Sequence, residues 1–279
     1  MKIGIIGYGS MGRMITEKIA ASGSLAAGDI FVSNRSQEKL QNIPEGVIVC
    51  ENNCDLAQKV NASEEDQGIV FLCVRPVDLK NVFSEMATDL SSETLVVSLN
   101  GSITFDMLSK FFSGKMAKVI PSVTAEVNRS QTLVCYNGKA EENDKQDLES
   151  LLRTFGNVIE LPEDEIGMGS ELVSCMPGFI ASIFDVLCAS AKKHTSIPDD
   201  QVVKMVLQTM CATGELMLEK NMSFEDVVSR VATKGGITEE GTKVVYEAFP
   251  KTADLLFEKT LEKRRMTAEK AKTSFEEDT

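Results

Sequence analysis

Within its first twelve residues the chain carries Gly7-Tyr8-Gly9-Ser10-Met11-Gly12, three glycines in the spacing G-x-G-x-x-G. The run follows an apolar stretch, Ile3-Gly4-Ile5-Ile6, and opens a segment of helical periodicity. Each glycine meets a steric demand. Gly7 allows a tight turn, Gly9 lets the backbone approach a pyrophosphate, and Gly12 lets the helix pack on the strand. Ser10 and Met11 fall in the first turn of that helix, where unpaired N–H groups and the positive end of the dipole face phosphates. The spacing alone is a weak signal. Set between a strand and a helix, it points to dinucleotide binding.

The rest of the first half alternates strand and helix. Residues 2–6, 29–33, 47–49, 68–74, 94–99, 118–120 and 131–136 read as strands. Residues 11–22 read as a helix with Met14, Ile15, Ile19 and Ala20 on one apolar face, and 105–112 as another. The stretch from Gly68 to Val74 is apolar without interruption, as a strand covered on both faces must be. This alternation implies an α/β fold, a doubly wound parallel sheet of Rossmann type. After Pro162 helical periodicity takes over. Helices are expected over 166–193, with an irregularity at Pro177-Gly178, and over 198–220. Others are expected after a cap made by Ser223 and Asp226, over 238–249, and from Pro250 toward the end. Residues 141–147 read as a charged loop or helix start, and 270–279 as a polar tail that frays. The reading is therefore a dinucleotide-binding domain over 1–161 and an all-helical domain over 162–279. These helices carry more apolar surface than a small domain can cover alone, which implies self-association.

The 279 residues carry a formal net charge of −13, which repels nucleic acid and anionic lipid. Seven cysteines, an odd number without C-x-x-C spacing, read as reduced thiols of a cytoplasmic protein. His194 is the one histidine and no metal site is expected. Met1-Lys2 leads straight into a strand, without a signal-peptide pattern. No apolar stretch approaches the roughly 18 residues of a membrane helix, so no membrane partner is expected.

The second strand ends in Ser33-Asn34-Arg35-Ser36, with no acid to hold a ribose 2′-hydroxyl. Arg35 can fork onto a 2′-phosphate while Asn34 and Ser36 donate, so NADP(H) is the expected cofactor. Val74-Arg75-Pro76 ends the fourth strand and is expected under the cofactor. Asn100 and Gly101, ending the fifth, are expected near the nicotinamide.

These motifs, with the strand Val119-Ile120-Pro121-Ser122, resemble those of pyrroline-5-carboxylate reductases. The likeness continues to about residue 262. Pro177 matches a family Gly-Ser-Gly-Pro-Ala stretch, and Thr233-Lys234-Gly235-Gly236-Ile237-Thr238 matches a family Ser-Pro-Gly-Gly-Thr-Thr stretch. The resemblance implies a helical domain that interlocks with a partner subunit in a homodimer or an assembly of dimers. It also implies NADPH reduction of the cyclic imine 1-pyrroline-5-carboxylate to L-proline. Gly235 and Gly236 would hold the carboxylate of this small anionic substrate at a helix start. Thr238 would hydrogen-bond the ring nitrogen or the carboxylate. The chain departs from the family pattern where Met176 replaces a glycine in the substrate pocket, Lys234 a proline and Ile237 a threonine. Lys234 then offers a charge to the carboxylate or points into solvent. The changes are similar to those of reductase-like proteins encoded beside bacterial competence genes. They leave two other readings open: an NADP-linked reductase of another imine or keto acid, and a non-catalytic NADP-binding regulatory homologue.

Overall fold

The computed structural model describes residues 1–61, 67–86 and 88–276. The chain forms two compact units, residues 1–177 with 261–279, and residues 178–260. The first unit therefore takes in residues from both sides of the expected boundary at 161/162.

The first unit opens with β1 (Lys2–Ile6), α1 (Ser10–Ser22), β2 (Ile30–Ser33), β3 (Ile48–Val49), α2 (Asn53–Val60) and β4 (Gly68–Leu72). It continues with α3 (Leu79–Met86), β5 (Leu95–Ser98), a short α4 (Phe105–Leu108), β6 (Met116–Ile120), β7 (Ser130–Tyr136), α5 (Glu142–Leu152) and β8 (Gly156–Glu160). Among the described residues the strands form one sheet, ordered β3-β2-β1-β4-β5-β6-β7-β8. Every pairing from β3 to β6 is parallel.

Side chains alternate between the two faces with the period of two that a strand imposes. Ile69 and Phe71 of β4 join Ile3, Ile5, the α1 residues Ile15 and Ile19, and Leu148 of α5 in one core. Val70 and Leu72 join Leu56 of α2 and Phe83 of α3 in the other. All of β4 is buried, which is why its sequence shows no polar alternation. The strand order reverses between β1 and β4. A crevice opens outside the carboxyl ends of the strands at such a point.

Two local expectations change, and one that stood open is decided. The sheet is not wholly parallel, because β7 runs antiparallel to β6, with β8 parallel to β7. β8 was not anticipated; its residues are half-buried or exposed, so Gly156-Asn157-Val158-Ile159-Glu160 lacks a buried strand's apolar run. Residues 142–152 form a full helix, started by a reciprocal capping box between Glu141 and Asp144.

The helical half begins with α6 (Ile166–Ser170), a π turn over Glu171–Cys175, and α7 (Met176–Ala191). The irregularity thus falls just before Pro177 instead of at it. Proline has no N–H for the carbonyl four residues back, Val173, and its ring crowds that turn, so the widened turn lies on its N-terminal side. α8 (Asp199–Lys220) starts with Asp199 and Asp200, which suit its positive end. α9 (Phe224–Val231) has the expected cap, a box between Ser223 and Asp226 worth about 1 kcal/mol. α10 (Ile237–Glu276) runs through Pro250 where two helices were expected. The ring removes one backbone hydrogen bond, and the turns on either side carry the helix on.

Nor does the tail fray up to residue 276. Ala271 and Phe275, four apart and hence on one helix face, are buried. The Phe275 ring meets that of Phe111 edge-on at 5.0 Å. Residues 277–279 lie outside the described residues.

Among the described residues one helical run, 163–194, is long and apolar enough by length and composition to cross a membrane, and little of its most apolar stretch is buried. The sequence reading missed it because Ser174, Pro177, Ser182 and Asp185 interrupt the apolar residues.

Candidate functional site

The glycine turn has the geometry of a phosphate cradle. Gly7 sits at φ +96°, where an L side chain is strained, and a Cβ there would stand 2.7 Å from the Cys73 carbonyl oxygen. A Cβ on Gly12 would lie 1.9 Å from the Gly7 carbonyl oxygen, an impossible approach, while Gly9 faces open space. The N-terminus of α1 begins at Gly9 with no side-chain cap and no acid in its first turn. Its leading N–H groups are thus left for an anion. The turn is tied to its neighbours: Gly7 N–H donates to Ser33 O and Cys73 N–H to Ile6 O, both at 2.8 Å. A groove of about 950 Å³ opens beside Gly9 and Ser10, with Arg13, Lys39 and Asn42 on its walls.

Asn34 makes two contacts at the end of β2. Its Oδ1 accepts from Tyr8 N–H at 2.9 Å and its Nδ2 donates to Ser36 O at 2.8 Å. It braces the glycine turn against the end of β2. Cations at the ends of β2 and β4 surround one carboxylate. Arg75 Nε donates to Asp78 Oδ2 at 2.9 Å, and Arg35 Nη1 lies 3.8 Å from Asp78 Oδ1. Both arginine side chains are well exposed, and the trio carries one net positive charge toward solvent. Asn100 Nδ2 donates to the carbonyl of Val74 at 3.1 Å, joining the ends of β5 and β4, with Gly101 next in line. The structure thus brings together, in the first unit, the residues expected to hold the cofactor.

The second group falls in two units. Met176 lies half-buried at the start of α7 in the first. Lys234, Gly235 and Gly236 form the approach to α10 in the second, and Thr238 is the second residue of that helix. Gly235 takes φ +72°, and a Cβ on Gly236 would meet Thr233 Oγ1 at 2.6 Å, so this turn requires both glycines. Lys234 and Thr238 are exposed, as is Ile237. The Gly235 N–H is already in use: it donates to Glu239 Oε2 at 2.7 Å.

Comparison with known proteins accounts for both halves. Residues 2–101 match a family described as NADP oxidoreductase, coenzyme F420-dependent, and residues 163–266 match the pyrroline-5-carboxylate reductase dimerisation family. Pyrroline-5-carboxylate reductase 3 of Bacillus subtilis is 30% identical over 96% of this chain and 97% of its own length. The chain belongs to the pyrroline-5-carboxylate reductase family. ComE operon protein 4 of Bacillus subtilis is 23% identical, over 88% of each chain. The fold agrees with the crystal structure of Plasmodium falciparum pyrroline carboxylate reductase with NADP bound. That structure superposes with a TM-score of 0.83 at 19% identity, covering 96% of this chain and 98% of its own.

Asp78 and Glu239 are site residues that no motif marks. Asp78 bridges the two arginines; its signal was the spacing Arg75-x-x-Asp78 on a turn. Glu239 reaches back to the glycine turn; its signal was an acid at the third position of a helix. Cys50 and Cys135 are buried in the hydrophobic clusters of the first unit. Burial pushes Cys50 and Cys135 each up to about 11. At pH 8 both are expected to stay unalkylated in the folded protein and to react only after unfolding, as mass spectrometry after iodoacetamide would read. Labelling of either in the folded protein would contradict their enclosure.

Proposed function

We propose that this chain reduces 1-pyrroline-5-carboxylate to L-proline with NADPH as the hydride donor. The observation that carries the reading is Arg35 at the end of β2, where an NAD-type site has a carboxylate, with Arg75 at the end of β4 on the same Asp78. It stands beside a glycine cradle that fits a pyrophosphate. Arg35 and Arg75 hold the 2′-phosphate, and the N–H groups of α1 hold the pyrophosphate. Gly235, Gly236 and the positive end of α10 hold the substrate carboxylate, aided by the Lys234 ammonium, and Thr238 donates to the ring nitrogen or the carboxylate. Bound NADPH supplies the hydride for the imine carbon. The imine is reduced in its protonated form, so the protein's work is positioning. The exposed apolar helices, with Leu218, Phe224 and Ile237 bare, are the surface through which two copies associate. Unpaired cysteines support a cytoplasmic setting.

The test is NADPH oxidation by the purified chain with 1-pyrroline-5-carboxylate, with NADPH binding measured in the same preparation. Turnover with binding supports the reading. Binding without turnover moves it to another imine or keto acid, or to a regulatory homologue. Thr238→Ala is expected to lower kcat roughly tenfold or more with NADPH affinity unchanged. Undiminished activity would make Thr238 a residue of the helix start only.

The second reading, a changed substrate, is favoured by Glu239. Its carboxylate takes the N–H that the substrate's carboxylate would use. Glu239→Ala is expected to lower KM for carboxylate-bearing substrates about threefold, since one competing charge-assisted hydrogen bond is removed. A KM that stays level or rises means the Gly235 N–H does not bind substrate.

A further inference from the structure

Within the first unit, the start of the helical half and the last stretch of α10 meet beside Gly101. Arg264 of α10 donates from Nε and Nη2 to Glu171 Oε1 at 3.1 and 2.8 Å, and from Nη2 to Ser170 Oγ at 3.0 Å. Glu171, the first residue of the π turn, is 1% exposed, and its Oε2 is buried without a hydrogen-bond partner among the described residues. Arg264 Nη1 also has no such partner among the described residues. It points at Gly101: a Cβ on that glycine would stand 3.1 Å from Nη1. A buried carboxylate bonded through one oxygen is an expensive way to anchor a helix, and the guanidinium, partly open to solvent, keeps two N–H donors that no described protein group takes. π turns occur often at functional sites. Because Glu171 cancels the charge of Arg264, the pair does not call for a second full anion. Two donors free of protein partners beside a bare backbone suit a neutral carbonyl acceptor.

We infer that Arg264, held by Glu171, is a cofactor-positioning residue whose Nη1 donates to the carboxamide oxygen of the nicotinamide at Gly101. This rests on the NADP(H) reading above. It gives Gly101 a reason to lack a side chain: a Cβ there would press on Nη1. It also links the end of α10 to the end of β5 that is expected to carry the nicotinamide.

The experiment titrates the full chain with NADPH and, separately, with adenosine 2′,5′-bisphosphate, which keeps the 2′-phosphate but lacks the nicotinamide. Thermal melting is followed alongside. The variants are Arg264→Gln and the double variant Arg264→Met with Glu171→Met, which removes both charges so that no lone buried ion remains. In the double variant, and in Arg264→Gln where it folds, NADPH is expected to bind about tenfold more weakly while the bisphosphate stays within about twofold. Unchanged NADPH affinity, or equal loss for both compounds in the folded double variant, would overturn the inference and leave Arg264 as a helix anchor. If the unaltered chain bound neither compound, the NADP(H) reading itself would fall; loss of discrimination in the variants alone sinks only the inference.

Discussion

Gly12→Ala is expected to raise the Kd for NADPH at least about 100-fold. The added methyl would sit 1.9 Å from the Gly7 carbonyl oxygen. That neighbour is backbone, so it yields only if α1 lifts from β1 or the turn at Gly7 opens. Either movement takes the leading N–H groups of α1 out of register with the pyrophosphate, and interactions of this kind fail with displacements of about 1 Å. Overpacking of this sort costs roughly 1–3 kcal/mol, and for a domain of this size each kcal/mol lowers Tm by about 2–4 °C. The protein is therefore expected to fold and to melt several degrees early. Fluorescence titration with NADPH and a melting curve on the same sample check this. Binding within a few fold of the original would mean that the phosphates do not use this turn. Gly9→Ala is the internal control, since nothing stands within 4 Å of a Cβ there. Any loss in that variant reports on the ligand's approach alone.

Arg35→Asp is expected to weaken NADPH roughly 100- to 1000-fold and NADH by no more than a few fold. The substitution removes up to two charge-assisted hydrogen bonds, about 1.5–3 kcal/mol each, and places a carboxylate against the 2′-phosphate. It also sets that carboxylate beside Asp78, which now shares two arginines. Arg75 would then be drawn between two acids. The surface is exposed and melting is expected to move little. Parallel titrations with the two cofactors decide the matter: equal losses for NADPH and NADH would remove the 2′-phosphate from Arg35.

The cofactor cradle was legible because its demands are short-range. Gly7, Gly9 and Gly12 lie within six residues of one another, directly after an apolar strand, and the same local sterics operate wherever that order occurs. The buried parallel strands were legible for a similar reason, since a strand covered on both faces cannot carry polar alternation. Edge elements were harder to read. β8 is half-solvated and its composition says little. The antiparallel turn of β7 depends on which neighbour it finds, which no window of its own residues encodes. The bond that Asn34 accepts from Tyr8 N–H was hidden, because Tyr8 stands 26 residues away.

Charge placement divides in the same way. Arg35, Arg75 and Lys234 could be named from their positions in motifs. Two pairings could not: Asp78 belongs to a different strand end from Arg35, and Glu171 stands 93 residues from Arg264. Local pattern sufficed for the glycine turn, the strand that feeds it, the helix that caps it and the missing acid on β2. Each depends on the conformation of a few adjacent residues. The folded chain alone set the neutralised guanidinium beside Gly101, the packed tail at Ala271 and Phe275, and the shared carboxylate of Asp78. These require groups distant in sequence to be brought within hydrogen-bond or van der Waals reach, which only the packing of whole elements accomplishes.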